Sequence, residues 1–258
     1  MSSAEVLTTF KSGCAQVEIY SSAAALGTAA AGAAAALMRQ AIQQRGRIRV
    51  MVGTGNSQIP LVDALVKQAI DWKAVEVFHM DEYANIEETH LASFRFWIRT
   101  RLEEKVHPGK VHYIAGDARD LDSEIARYAE LLAQEPIDLA FVGFGENGHI
   151  AFNDPHVADF DDPFRVKRVT LDEACRRQQI GEGHFKDLAS VPPEAITVTC
   201  SELLRAKAWI CCVPELRKAN AVVNALQGPV SVHCPASVVQ KHPNARVYLD
   251  RDSASLLT

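Results

Sequence analysis

Along this chain, short apolar runs alternate with stretches whose apolar positions recur at helical spacing. The runs QVEIY (16–20), IRVMV (48–52), VEVFHM (75–80) and VHYI (111–114) each suit a strand. So do IDLAFVGF (137–144), AITVT (195–199), AWICCV (208–213) and ARVYLD (245–250). Between them, the pattern predicts helices from Ala23 to about Arg45, Pro60 to Ile70 and Leu91 to Glu104, with HPGK as a breaker. Further helices are expected over LDSEIARYAELLAQ (121–134) and from Leu216 to Leu226, with a helical turn at SELLRA. Residues 155–190 differ: they are polar and charged, carry DFDDP and GEGH, and hold only a brief VKRVTL run. Such a stretch reads as a lid or excursion over a site.

Strand followed by helix, repeated, predicts an α/β fold. We expect a doubly wound, mostly parallel sheet with helices on both faces, Rossmann-like in outline. No internal repeat or low-complexity linker divides the chain, so residues 1–258 read as one domain. In such a sheet, ligands sit outside the carboxyl ends of the strands, near the point where strand order reverses.

Composition narrows the partners. The 27 basic and 32 acidic residues give a formal charge of -5 without a basic block, which argues against nucleic acid. The alanine-rich run Ala23–Met38 is broken by Gly27, Thr28 and Gly32 and reads as a helix packed on a sheet, not a membrane span or signal. Six cysteines show neither a CxxC pair nor zinc-ligand spacing, so they read as reduced and mostly buried, in a cytoplasmic protein. Cys211 and Cys212 are adjacent on one strand and should point to opposite faces. A homo-oligomer is compatible with everything in the sequence.

The chemically loaded residues follow the strands. GTGNS (53–57) comes after IRVMV and opens onto a helix. Its glycines and hydroxyls, with the helix N-terminus beyond, suit an anion, although the motif is neither a P-loop nor a dinucleotide fingerprint. An ordinary strand-to-helix turn has the same spacing. Asp81-Glu82-Tyr83 ends the VEVFHM run. A carboxylate there is either a turn cap or a desolvated base with a raised pKa. GFGENGHIAFNDP (143–155) places three glycines around His149, with Asn147 and Asp154 available to orient its ring.

These segments resemble one family. VFHMDEY followed by HLASFRFWIRTRL, then IDLAFVGFGENGHIAFNDP, KANAVVNALQGPVS and HPNARVYLD, are similar to glucosamine-6-phosphate deaminases (isomerases), which share a superfamily with 6-phosphogluconolactonases. The resemblance spans about residues 48 to 252, and GHIAFN is its most specific part. It implies that Asp81 removes the C-2 proton, that His149 serves ring opening, and that Asn147 and Asp154 support the histidine. It also implies a phosphate loop at Thr54, Gly55, Asn56 and Ser57, with Lys218 as a phosphate-contacting lysine. The chain departs from the family in four places. The loop lacks the commoner proline, the acidic residue after FN is the shorter Asp154, and no serine pair associated with allosteric activation follows Pro155. The phosphate-binding arginine has no single match: Arg176 or Arg177 would serve, while strict alignment lands on Gln179.

The resemblance implies conversion of glucosamine 6-phosphate to fructose 6-phosphate and ammonia, with no metal or redox cofactor. A lactonase would need the histidine to activate water but no base over C-2. A non-catalytic sugar-phosphate sensor would keep the fold, although loss of the proton-transfer residues would then be expected. Which amino-sugar phosphate is preferred does not follow from these residues.

Overall fold

The computed structural model describes residues 5–181, 183 and 185–258, so Glu182 and His184 of the GEGH segment lie outside the described residues. The chain begins with an antiparallel pair, β1 (Val6–Ser12) and β2 (Ala15–Tyr20). Helix α1 (Ala23–Arg45) follows, where the Ser22 side chain accepts from the Ala25 N–H and Gly46 ends the helix in the left-handed region. Next come β3 (Ile48–Val52), a 3-10 turn at Asn56–Gln58, and α2 (Ile59–Leu65). Strand β4 (Val75–His79) runs into the short β5 (Asp81–Tyr83). Helix α3 (Phe94–Ile98) continues through a π-turn at Arg99–Glu103 into α4 (Glu104–Val106). Then follow β6 (Lys110–His112), α5 (Leu121–Ala133) and β7 (Leu139–Val142).

The second half carries β8 (Val166–Thr170), α6 (Glu173–Gly181), β9 (Glu194–Val198) and α7 (Cys200–Leu203). It ends with β10 (Trp209–Val213), a 3-10 turn at Leu216–Lys218, α8 (Ala219–Leu226) and β11 (Ala245–Asp250).

The strands form an eight-stranded sheet in the order β1-β2-β11-β10-β7-β3-β4-β6. All neighbours from β2 to β6 pair in parallel, and only the edge strand β1 is antiparallel. Chain order moves outward from β3 to β4 and β6, then returns with β7 on the other side of β3. The switch point therefore lies between β3 and β7.

Alternate residues of each central strand feed two cores, one per face. Met51, Phe78, Ala140 and Cys211 pack on one side with Tyr128 of α5 and Val222 of α8. Val50, Val77, Phe141 and Cys212 pack on the other with the small residues of α1 and with Leu61 of α2. Cys211 and Cys212 do face opposite ways, as strand geometry requires. Each buried leucine- or valine-sized side chain in these layers is worth roughly 1.5–3 kcal/mol.

The alanines of α1 have a positional consequence. A Cβ at Gly27 would come within 2.5 Å of the Pro60 carbonyl, so α1 and α2 touch backbone to backbone. That contact fixes the helix beyond the GTGNS turn.

Two parts differ from the sequence reading. AITVT does not extend the main sheet: β9 pairs antiparallel with β5 and β8 in a separate three-stranded sheet. Within residues 155–190, expected to hold only a brief VKRVTL run, that run forms β8 and Glu173–Gly181 adds α6.

Candidate active site

Four adjacent strands of the main sheet, β10, β7, β3 and β4, end at one open cavity. Each sends one loaded loop to it: Gly53–Ser57 after β3, Asp81 after β4, Gly143–His149 after β7 and Lys218 after β10. The cavity thus straddles the switch point between β3 and β7, where the parallel carboxyl ends diverge. Asp81 and His149, 68 positions apart in sequence, both line it. Their parent strands are not neighbours, however, because β3 lies between β4 and β7.

Asp81 is 6% exposed. Burial pushes its carboxyl well above the ordinary carboxylate range, and the adjacent Glu82 charge adds to the rise. Glu82 is held on the opposite side of the strand by four donors. These are the Ser93 hydroxyl at 2.8 Å and the backbone N–H groups of Tyr83, Phe94 and Arg95 at 3.0 to 3.1 Å. The Glu82 carboxylate therefore caps the start of α3, which explains why that helix begins near Ser93 and not at Leu91. It also fixes Phe94, which forms part of the cavity wall.

The β7 loop is built around the imidazole. A Cβ at Gly145 would lie 2.2 to 2.4 Å from three atoms of the His149 ring, so the ring rests directly on the glycine backbone. The Gly145 N–H donates to the His149 carbonyl at 2.9 Å and closes the loop on itself. Asn147 accepts from the His149 backbone N–H at 3.0 Å and donates through its amide to Asp154 Oδ1 at 2.9 Å.

His149 Nδ1 lies 3.0 Å from the same Asp154 oxygen. That distance lets the imidazole donate to the carboxylate, and this bond is the largest of the contacts that lower the Asp154 pKa. Burial pushes the Asp154 carboxyl up, but His149 and Asn147 outweigh it and hold the group below its ordinary value. Asp154 is fully buried and stays ionised beside the histidine. Two residues on from His149, Ala151 adopts φ 52, a strained choice for a residue with a side chain.

A separate set of contacts ties this loop to Asp81. The Asn153 side chain donates to the carbonyls of Ile150 and Val198 at 2.9 and 2.8 Å. The Phe152 N–H donates to Thr197 Oγ1 at 3.2 Å, and Thr197 stands opposite Asp81 in the β5–β9 pairing. The small sheet is thus the bracket that sets the carboxylate against the histidine.

At the other end, Thr54, Gly55, Asn56 and Ser57 form the turn that enters α2, and all four line the cavity. The wholly buried Gln58 braces the turn by donating to Ser57 Oγ at 3.1 Å and to the Cys212 carbonyl at 3.2 Å. Lys218 is 3% exposed and reaches the cavity from the 3-10 turn before α8. Asp250 holds that turn by accepting the Glu215 N–H on both carboxylate oxygens, at 3.2 and 3.1 Å. Backbone N–H groups, hydroxyls and a buried ammonium facing one space are a set of donors that suits an anion.

The arginines are placed differently from the expectation. Arg176 donates to the carbonyls of Leu188 at 2.5 Å and Val191 at 2.9 Å, and Arg177 pairs with Glu173 on the surface. Neither lines the cavity; α6 presents Gln178 and Gln179 to it instead. The helical register explains this, because Cys175 and Gln179 lie on its buried face. Phe94, Phe152, Met80 and Gln178 complete the wall without any motif that singled them out.

Comparison with known proteins agrees with this architecture. The family described as glucosamine-6-phosphate isomerases/6-phosphogluconolactonase matches residues 21–248. Glucosamine-6-phosphate deaminase from Bacillus cytotoxicus is 34% identical over 223 residues, covering 85% of this chain and 82% of the relative. The deaminase of Bacillus cereus strain B4264 is 33% identical over 221 residues, with the same coverage. Among solved structures, a monomeric glucosamine-6-phosphate deaminase superposes with a TM-score of 0.84 at 26% identity, over 93% of this chain and 99% of its own. A 6-phosphogluconolactonase from Shewanella baltica superposes at 0.75 with 19% identity, over 91% and 97%, which reflects the shared fold. By sequence and by fold, the chain belongs to the glucosamine-6-phosphate isomerase/6-phosphogluconolactonase family.

Proposed function

We propose that this chain is an isomerising deaminase that converts glucosamine 6-phosphate and water to fructose 6-phosphate and ammonia. The observation that carries this reading is the pairing of Asp81 with the His149–Asp154 couple across one cavity whose far end suits a phosphate. His149, with Asp154 and Asn147 beside it, moves the proton that opens the pyranose. Asp81 then takes the C-2 proton and delivers it to C-1 through an enolamine. Its raised pKa suits both halves of that transfer. Hydrolysis of the resulting ketimine releases ammonia and leaves the 2-ketose. The phosphate end, formed by Thr54, Gly55, Asn56, Ser57 and Lys218, supplies binding energy that orients the reacting end.

A lactonase gives no role to a buried base at the Asp81 position, which is why the deaminase is the better reading. Among the described residues no helix is long and apolar enough to cross a membrane. The cysteines are free, and we read the enzyme as cytoplasmic, acting on a small phosphorylated sugar and not on nucleic acid.

The test is turnover of glucosamine 6-phosphate in heavy water, with 6-phosphogluconolactone offered alongside. Deuterium at C-1 of the fructose 6-phosphate is expected, with partial labelling because a shielded carboxylate can return its own proton. Asp81→Asn should remove ammonia and label together, by about 10²-fold or more. Rapid lactone hydrolysis without ammonia from any hexosamine 6-phosphate would overturn the reading.

A further inference from the structure

Behind His149, away from the sugar-phosphate residues, lies a second chemical group. A ring nitrogen of His149, an Asp154 carboxylate oxygen and Cys175 Sγ all lie within 4.8 Å of one another. All three residues are buried, at 8%, 0% and 1% exposure. The Asn147 amide occupies Asp154 Oδ1, and the Cys175 thiol bonds to the same carboxylate. His149 Nδ1 lies 3.0 Å from Asp154 Oδ1. An imidazole nitrogen, a carboxylate and a thiol thus converge in one interior space.

The thiol is placed by its own helix. The Asp172 side chain accepts the Cys175 N–H at 2.6 Å, which locks the first turn of α6 and turns Sγ inward. Nitrogen, oxygen and sulfur donors in this set suit a borderline-soft divalent ion such as zinc. Zinc bonds of about 2.0–2.3 Å bring tetrahedral ligand atoms to roughly 3–4 Å apart, so a small inward movement completes the set.

We propose that His149, Asp154 and Cys175 form an inhibitory zinc site. Binding replaces the Cys175 S–H bond with a zinc–sulfur bond and releases one proton, with no change of oxidation state. The metal takes the Nδ1 lone pair and the Asp154 charge, so the imidazole can no longer gain and lose the ring-opening proton. Ion binding follows from the geometry alone, whereas inhibition rests on the deaminase reading given above.

The experiment uses the full chain, dialysed free of metal. Titration with Co2+ should produce a thiolate-to-cobalt charge-transfer absorption that saturates at one equivalent, and Zn2+ should displace it. Cys175→Ala should lose this absorption and raise the Zn2+ concentration for half-inhibition at least about tenfold, in line with loss of one ligand. Ammonia release without metal should stay near wild type, which also reports correct folding. Asp154→Asn, read by cobalt absorption alone, should lose the band too. The absorption reads the site whether or not the chain deaminates, so failure of one reading is separable from failure of the other. No thiolate band in the wild type overturns the proposal. So does a band of full strength in Cys175→Ala, because the metal would then be elsewhere, for example at Asp154, His156 and Asp172.

Discussion

Asp81 and Thr197 stand opposite each other in the antiparallel pairing of β5 and β9. Thr197 in turn accepts the Phe152 N–H at 3.2 Å, three residues beyond His149 in the chain. A three-residue strand therefore ties Asp81 to the loop that carries His149, the two halves of the proposed proton-transfer site. Thr197→Val keeps the volume and the β-branch but removes the acceptor. The unpaired buried N–H should cost about 1–3 kcal/mol in urea denaturation. Ammonia release should fall further than substrate affinity, because the His149 loop loses its brace. Unchanged kcat together with unchanged stability would show that the small sheet does not position the site.

The pH profile should reveal the desolvated base. Asp81 must be ionised to accept a proton, so kcat/KM should rise through an acid limb displaced above the ordinary carboxylate range. The sign for stability is the opposite. A folded pKa above the unfolded 3.8 favours the native state most at lower pH, and that contribution fades as pH rises through the folded value. Burial is the larger cause and Glu82 the smaller. Glu82→Gln removes a like charge, so the limb should move to lower pH yet stay above the range of a free aspartate. A limb that moves upward, or does not move, would contradict the assignment of that limb to Asp81.

Lys218 tests the anion end. Asp250 holds its turn and the ammonium is almost wholly buried at the cavity. Lys218→Ala should weaken inorganic phosphate or glucosamine 6-phosphate by roughly 1.5–3 kcal/mol, the range of a charge-assisted contact. Free glucosamine should remain equally poor with both proteins. Titration calorimetry with phosphate alone separates this from any effect on the chemistry, and equal phosphate affinity would remove Lys218 from the site.

Much of this arrangement was legible in the chain because the central strands are buried on both faces. LAFV and WICCV read as unbroken apolar runs for that reason, IRVMV is broken only by Arg49, and the loaded loops follow them directly. β1 was not legible: VLTTFKS lies on an exposed edge, and its Val6, Leu7 and Phe10 do not alternate with polar residues. AITVT announced a strand, but nothing in five residues says which sheet a strand joins. The same limit applies to α6. Composition offered two adjacent arginines, and helical phase turned glutamines toward the cavity instead. Cys175 escaped the reading because its partners lie 21 and 26 positions earlier, without metal-ligand spacing.

Gly145 offers the sharpest test of how the imidazole is seated. The His149 ring lies against its Cα, and an added Cβ would meet ring atoms at 2.2 to 2.4 Å. Real Cβ contacts do not come that close, so Gly145→Ala must displace either the ring or the loop. The ring is the softer of the two, because the loop is tied at Gly148 by the Ala236 N–H and at Asn153 by two carbonyls. A shift near 1 Å at a proton-transferring group is worth about 10²-fold in rate. We therefore expect ammonia release from Gly145→Ala to fall by about that factor, with substrate affinity changed little and the urea midpoint lowered slightly. A variant that turns over normally would mean that the ring is free to leave this face, and that the His149–Asp154 contact is not the arrangement used in catalysis.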